Sequence, residues 1–83
     1  MSTKEKLIER FRRLPNDFTF EETIRLFRTL GFDLYQKGRT SGSRVMFVRG
    51  EESFDMHRPH PGSIVKRGTL VNIYEYLTSK KLL

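Results

Sequence analysis

The segment KGRTSGSRVMF, Lys37 to Phe47, sets Lys37, Arg39 and Arg44 among two glycines and the hydroxyls of Ser41 and Ser43. Glycines let backbone amides come close to an anion, and the cations add charge around them, so Lys37, Arg39, Gly42, Ser43 and Arg44 read as a phosphate-binding group. The plainer alternative is a solvated hairpin loop with ordinary surface arginines. His57 and His60 are the chain's two histidines, and a pair of imidazoles can bind a metal or move protons near neutral pH. No third ligand stands at a zinc or iron spacing, so a proton-transfer or hydrogen-bonding role is expected rather than a metal site. No nucleophile elbow accompanies the serines. Lys66 and Arg67 extend the cationic set downstream.

The whole chain shares that bias. Sixteen Lys and Arg against ten Asp and Glu give a net charge of +6 over 83 residues. Such an excess concentrates anions at the surface and places nucleic acid ahead of an anionic membrane or an acidic protein as the expected partner class. Cysteine is absent, so stability must come from packing, which suits a reducing compartment. No apolar run approaches the ~18 residues of a membrane helix, and the N-terminus lacks the apolar core of a signal peptide. A cytoplasmic, soluble protein without a cofactor is the expectation. The length suits one domain, 1–83, with 1–18 as an N-terminal helical extension and 19–80 as the core.

The elements that must position these groups follow from periodicity. Ser2-Thr3-Lys4-Glu5 has the form of a capping box, and Leu7, Ile8, Phe11 and Leu14 follow at helical spacing until Pro15. This first helix either pads the fold or contacts a partner. A second box, Thr19-Phe20-Glu21-Glu22, precedes Ile24, Phe27 and Leu30, and Gly31 supplies the left-handed residue that closes a helix. The period then falls to 2: Phe32 with Leu34, Val45 with Phe47, and Phe54 with Met56 each share a side. Gly38–Ser43 reads as a long, mobile connection and Gly50-Glu51 as a tight hairpin. Arg44, Met46 and Val48 alternate with Val45 and Phe47, so Arg44 should emerge on the face away from the helices. His57 to Gly62 reads as an ordered loop, because two prolines remove donors. Leu70, Ile73, Tyr74 and Leu77 predict a last helix from about Thr69 to Lys80. The predicted class is α+β: a three-stranded antiparallel sheet packed on two helices in the order α-β-β-β-α, plus the extra N-terminal helix.

The segments SGSRVMF and HPGSIVKRGTLVNIYEYL resemble the HicA toxins, small messenger-RNA-cleaving proteins of bacterial toxin-antitoxin systems. The resemblance runs from about Phe20 to Leu77 and is most specific at RGTLVNI, with His60 eight residues before Gly68. It implies a double-stranded-RNA-binding-like fold and a HicB antitoxin that masks the active site. The family's second strand typically carries Gly-Ser-His, whose histidine is taken as catalytic, whereas this chain has Gly42-Ser43-Arg44. A guanidinium stays protonated and cannot act as a base. Cleavage through the 2′-hydroxyl needs a proton acceptor and donors for the charged phosphorane, and Arg44 fits only the second role. His60 is then the first candidate base, since it matches a histidine near the end of the family's sheet, and His57 is the second.

The leading expectation is a metal-independent endoribonuclease toxin acting on messenger RNA. In it Arg44 and the Lys37–Ser43 loop grip phosphate, Lys66 and Arg67 extend the surface, and His60 or His57 transfers the proton. The alternatives are a non-catalytic RNA-binding module that has lost the base, and an interaction protein whose basic face receives an acidic antitoxin.

Overall fold

The structure, a computed structural model, describes residues 3–36, 44–59 and 64–83. Its elements run α1 (Thr3–Arg12), α2 (Phe20–Thr29), β1 (Asp33–Gln36), β2 (Arg44–Arg49), β3 (Glu52–His57) and α3 (Arg67–Ser79). This is the expected α+β order, a helix-strand-strand-strand-helix core preceded by one more helix. The predicted mobile connection Gly38–Ser43 and the Ser2 cap lie outside the described residues, as do Lys37, Arg39, Gly42, Ser43 and His60.

α2 starts where its local chemistry dictates. The Thr19 hydroxyl accepts from the Glu22 amide at 3.1 Å while the Glu22 carboxylate accepts from the Thr19 amide at 3.0 Å, the reciprocal pairing of a capping box. The helix closes through Leu30, and Gly31 follows at φ +95°, a conformation in which a Cβ would be strained. α1 ends at Arg12, and Leu14 lies beyond it at φ +49°, its amide bonded to the Phe11 carbonyl at 2.9 Å. α3 departs from the sequence reading at its start. It begins at Arg67 rather than near Thr69, so Gly68 sits inside the first turn; Lys66 occupies the N-cap without a side-chain hydrogen bond, leaving no local signal to mark that end.

The sheet has the order β1-β2-β3, both pairs antiparallel. The two-residue turn Gly50-Glu51 sets Arg49 opposite Glu52, and that register runs unbroken to Arg44 opposite His57. His57 is therefore the last residue of β3 rather than the first of a loop, because it still has a β2 partner to pair with.

Val45, Phe47 and Met56 are buried on the inner face, under the helices. Phe27 of α2 stacks flat on Phe47 at 4.0 Å between centroids and meets Phe32 edge-on at 5.1 Å; Phe54 closes the group against Tyr76 of α3. Such ring pairs add to what burial alone contributes. A second aromatic group ties in α1: Phe11, fully buried, lies 5.5 Å from Phe18 and 6.0 Å from Tyr74. Arg10 on the same helix donates to Glu22 at 2.7 Å and to Asp17 at 3.1 Å. The first helix thus pads the fold, with its aromatic residue in the common core.

Candidate functional site

Strand parity decides what faces outward. With Val45 and Phe47 turned inward, Arg44, Met46 and Val48 of β2 stand on the opposite face, beside Ser53, Asp55 and His57 of β3 and Asp33 and Tyr35 of β1. Arg44, Asp55 and His57 are exposed, and Tyr35 is 57% exposed. Among the described residues no helix covers this face. The expectation that Arg44 leaves the sheet away from the helical layer agrees with its placement.

Arg44 and His57 are register partners across β2 and β3. Directly opposed residues of antiparallel strands have Cβ atoms about 4.5–5.5 Å apart, so a permanent cation and an imidazole share one corner of the open face. Asp55, two residues before His57, stands on the same face opposite Met46. The pair joins a group with several N–H donors and a fixed charge to a group that can accept or release a proton. That pairing is encoded in the sequence. The two-residue hairpin carries that information, because fixing Arg49 opposite Glu52 makes the position numbers of every pair sum alike.

The corner is extended by the start of α3. An isolated bridge pairs Thr19 with Ile64, and the Val65 amide donates to the Phe18 carbonyl at 2.8 Å. These contacts hold the beginnings of α2 and α3 together beside the end of β3. Lys66 and Arg67 are exposed there. A cleft of about 390 Å³ opens between the end of β3 and the first turn of α3, and His57 and Lys66 both line it. Arg58 also lines it, held with its guanidinium carbon 5.6 Å from the centroid of the Phe20 ring. Arg58 carried no signal at the sequence level, since its position depends on a ring contributed by α2.

Another cleft, about 440 Å³, lies against α1 and is lined by Lys6, Glu9, Arg10, Arg13 and Pro15. One cation there, Arg10, is already committed: the hydrogen bond to Glu22 above all, joined by Asp17, holds its guanidinium well above its ordinary pKa against the opposing effect of burial. Reciprocally, the hydrogen bond from Arg10, helped by the Thr19 amide, lowers the Glu22 pKa against the opposing effect of burial. Tyr76 is the other perturbed group among the described residues, raised by burial and by the charge of Glu52. All three belong to the helical layer rather than to the open sheet corner. Among the described residues no three His, Cys, Asp or Glu side chains gather so as to hold a metal ion, and no helix is long and apolar enough to cross a membrane.

A family model described as the HicA toxin of bacterial toxin-antitoxin systems matches residues 20–78. That span takes in α2, the whole sheet and nearly all of α3, and leaves α1 outside. No curated protein and no solved structure matches the chain.

Proposed function

Because the chain belongs to the HicA toxin family of bacterial toxin-antitoxin systems, we propose that it is an endoribonuclease that cleaves messenger RNA in the cytoplasm and is silenced by a HicB-like antitoxin seated over its open sheet face. The observation that carries this reading is the register pairing of Arg44 with His57 on that face. In the proposed reaction a neutral imidazole takes the proton of a ribose 2′-hydroxyl. The oxygen attacks the adjacent phosphorus, the bond to the 5′-oxygen breaks, and the departing oxygen takes a proton from water, leaving a 2′,3′-cyclic phosphate and a 5′-hydroxyl end. Arg44 donates to the non-bridging oxygens, which gain negative charge as the phosphorane forms, through a fork that suits phosphate geometry. His57 is the base in this reading, supported by its place opposite Arg44 across β2 and β3; His60, the first candidate from the resemblance, stays the alternative base. Lys66 and Arg67, with Lys37 and Arg39, hold neighbouring phosphates, while Gly42 and Ser43 offer backbone and hydroxyl donors.

The test is incubation of purified protein with RNA in EDTA, followed by analysis of the fragment ends. Fragments with cyclic phosphate ends, lost in His57→Ala with RNA binding retained, support the reading; a positioned histidine contributes roughly 10²–10⁴-fold. Cleavage that survives His57→Ala and ends with His60→Ala transfers the base to His60. Intact RNA bound in a salt-sensitive way points to the non-catalytic module, a reading favoured by arginine standing where the resemblance places histidine.

A further inference from the structure

The cleft beside the Arg44–His57 pair has features that proton transfer at one phosphodiester does not use. Its lining includes Met56, His57, Arg58, Val65, Lys66 and Thr69, with no carboxylate among the described lining residues. Arg58 Nε is buried there and has no hydrogen-bond partner among the described residues. A guanidinium presents five N–H donors in a planar fork, so the half-buried Arg58 can meet an anion in the cleft through its other nitrogens while Nε stays covered. The Phe20 ring under the guanidinium holds it in place, so that little side-chain freedom is lost when an acceptor arrives.

The first turn of α3 meets the same cleft through Lys66 and Thr69. No side chain caps this helix and no acidic residue lies in its first turn. Instead Lys66 and Arg67 stand at its positive end, an arrangement unfavourable to a bare helix and favourable to a bound anion. Donors therefore converge from β3's exit, from a hydroxyl and from a helix start. A tetrahedral phosphate offers acceptors in all these directions, whereas a planar carboxylate offers two oxygens in one plane.

We propose that this cleft is a phosphate subsite that binds a phosphodiester of the RNA strand next to the one held by Arg44, with Arg58 as its anchor and Thr69 and the α3 amides as further donors. The assignment rests on the RNA reading of the sheet corner, and it gives Arg58 and Thr69 a role in placing the strand rather than in proton transfer.

The full chain, isotopically labelled, is titrated with a short single-stranded oligonucleotide carrying a 2′-deoxy block against cleavage, with inorganic phosphate, and with a glutamate-rich peptide. The oligonucleotide is expected to shift the Arg58 Nε–H and the amides of residues 67–69, and phosphate to shift the same signals more weakly. Arg58→Gln should weaken oligonucleotide binding about tenfold and lower the salt slope by about 0.7, the contribution of one single-strand phosphate contact. Thr69→Val should weaken binding about threefold, with both variants melting close to the parent so that the loss is not unfolding. If the oligonucleotide binds but leaves those signals unmoved, or if both variants bind it as the parent does while Arg44→Ala does not, the subsite is overturned and the RNA reading survives. If the parent chain binds no oligonucleotide, the RNA reading itself fails and takes the assignment with it. An equal response to the glutamate-rich peptide overturns the choice of phosphate.

Discussion

Replacing Phe11 with alanine tests whether α1, which lies outside the family match, is part of the folding unit. The ring is fully buried and packs against Phe18 and Tyr74 at centroid distances of 5.5 and 6.0 Å. A buried aromatic side chain removes roughly 150–250 Å² from water. At about 25 cal/mol per Å² the larger part of that is worth about 4 kcal/mol, in line with the 3–5 kcal/mol seen when buried aromatics are truncated to alanine. Domains of this length have a total stability of about 4–12 kcal/mol, so the substitution removes a large share of it. With each kcal/mol shifting the midpoint by about 4–8 °C, Tm should fall by about 16–32 °C. Thermal unfolding followed by far-ultraviolet circular dichroism reads this directly. Lys6→Ala on the exposed side of α1 serves as the control, expected within about 0.5 kcal/mol of the parent. A Phe11→Ala melt within about 4 °C of the parent would refute the argument, since it would mean that the ring is not held in the common core and that α1 is an appendage.

Glu22→Gln keeps an acceptor for the Thr19 amide but removes the charge facing Arg10; it should cost about 1 kcal/mol, or 4–8 °C in Tm, near pH 7. Because the Glu22 pKa is lowered in the folded chain, its stabilisation is complete above the unfolded value of 4.5 and is lost as pH falls through the folded one. The gap between parent and variant melts should therefore close below about pH 4.5, and a gap independent of pH would remove the ion pair from the account. Gly31→Ala forces a side chain onto φ +95° with its Cβ 3.2 Å from Arg49 Nε; Arg49 can swing aside, so backbone strain of about 1 kcal/mol sets the loss, and an unchanged melt would show that the turn re-forms without it. Arg44→Ala should weaken RNA binding and reduce the salt slope by about 0.7, and an unchanged slope would remove Arg44 from the interface.

How much of this was legible in the sequence depended on the range of the interactions involved. The start of α2 was, because the capping box lies within four residues and both of its hydrogen bonds form as the pattern implies. The outward face of Arg44 was too, because strand parity next to two buried apolar residues leaves one choice. The start of α3 was not: Lys66 caps it with backbone alone, and that end is set by pairing with residues more than forty positions earlier, Thr19 with Ile64 and Phe18 with Val65. Phe18 and Thr23 lay outside the predicted stripes for the same reason. Phe18, in the connection between α1 and α2, is buried against Phe11, and Thr23 is admitted to the core by bonding its hydroxyl to the Thr19 carbonyl at 3.0 Å. Arg58 became a candidate only once the Phe20 ring was seen beneath it.

The pairing of Thr19 with Ile64 and of Phe18 with Val65 also sets the order in which a newly made chain acquires its chemistry. The hairpin of β2 and β3 joins residues close in sequence and can form early, whereas the clasp that fastens α3 beside it closes a loop of more than forty residues and must wait for the last quarter of the chain. A chain still being translated therefore lacks its third helix, and the cleft that this helix lines, until nearly all of it has emerged. A truncated chain ending at residue 63 should keep hairpin signals and show no RNA cleavage. Under the proposed function, timing of this kind leaves an antitoxin an interval before its target is complete.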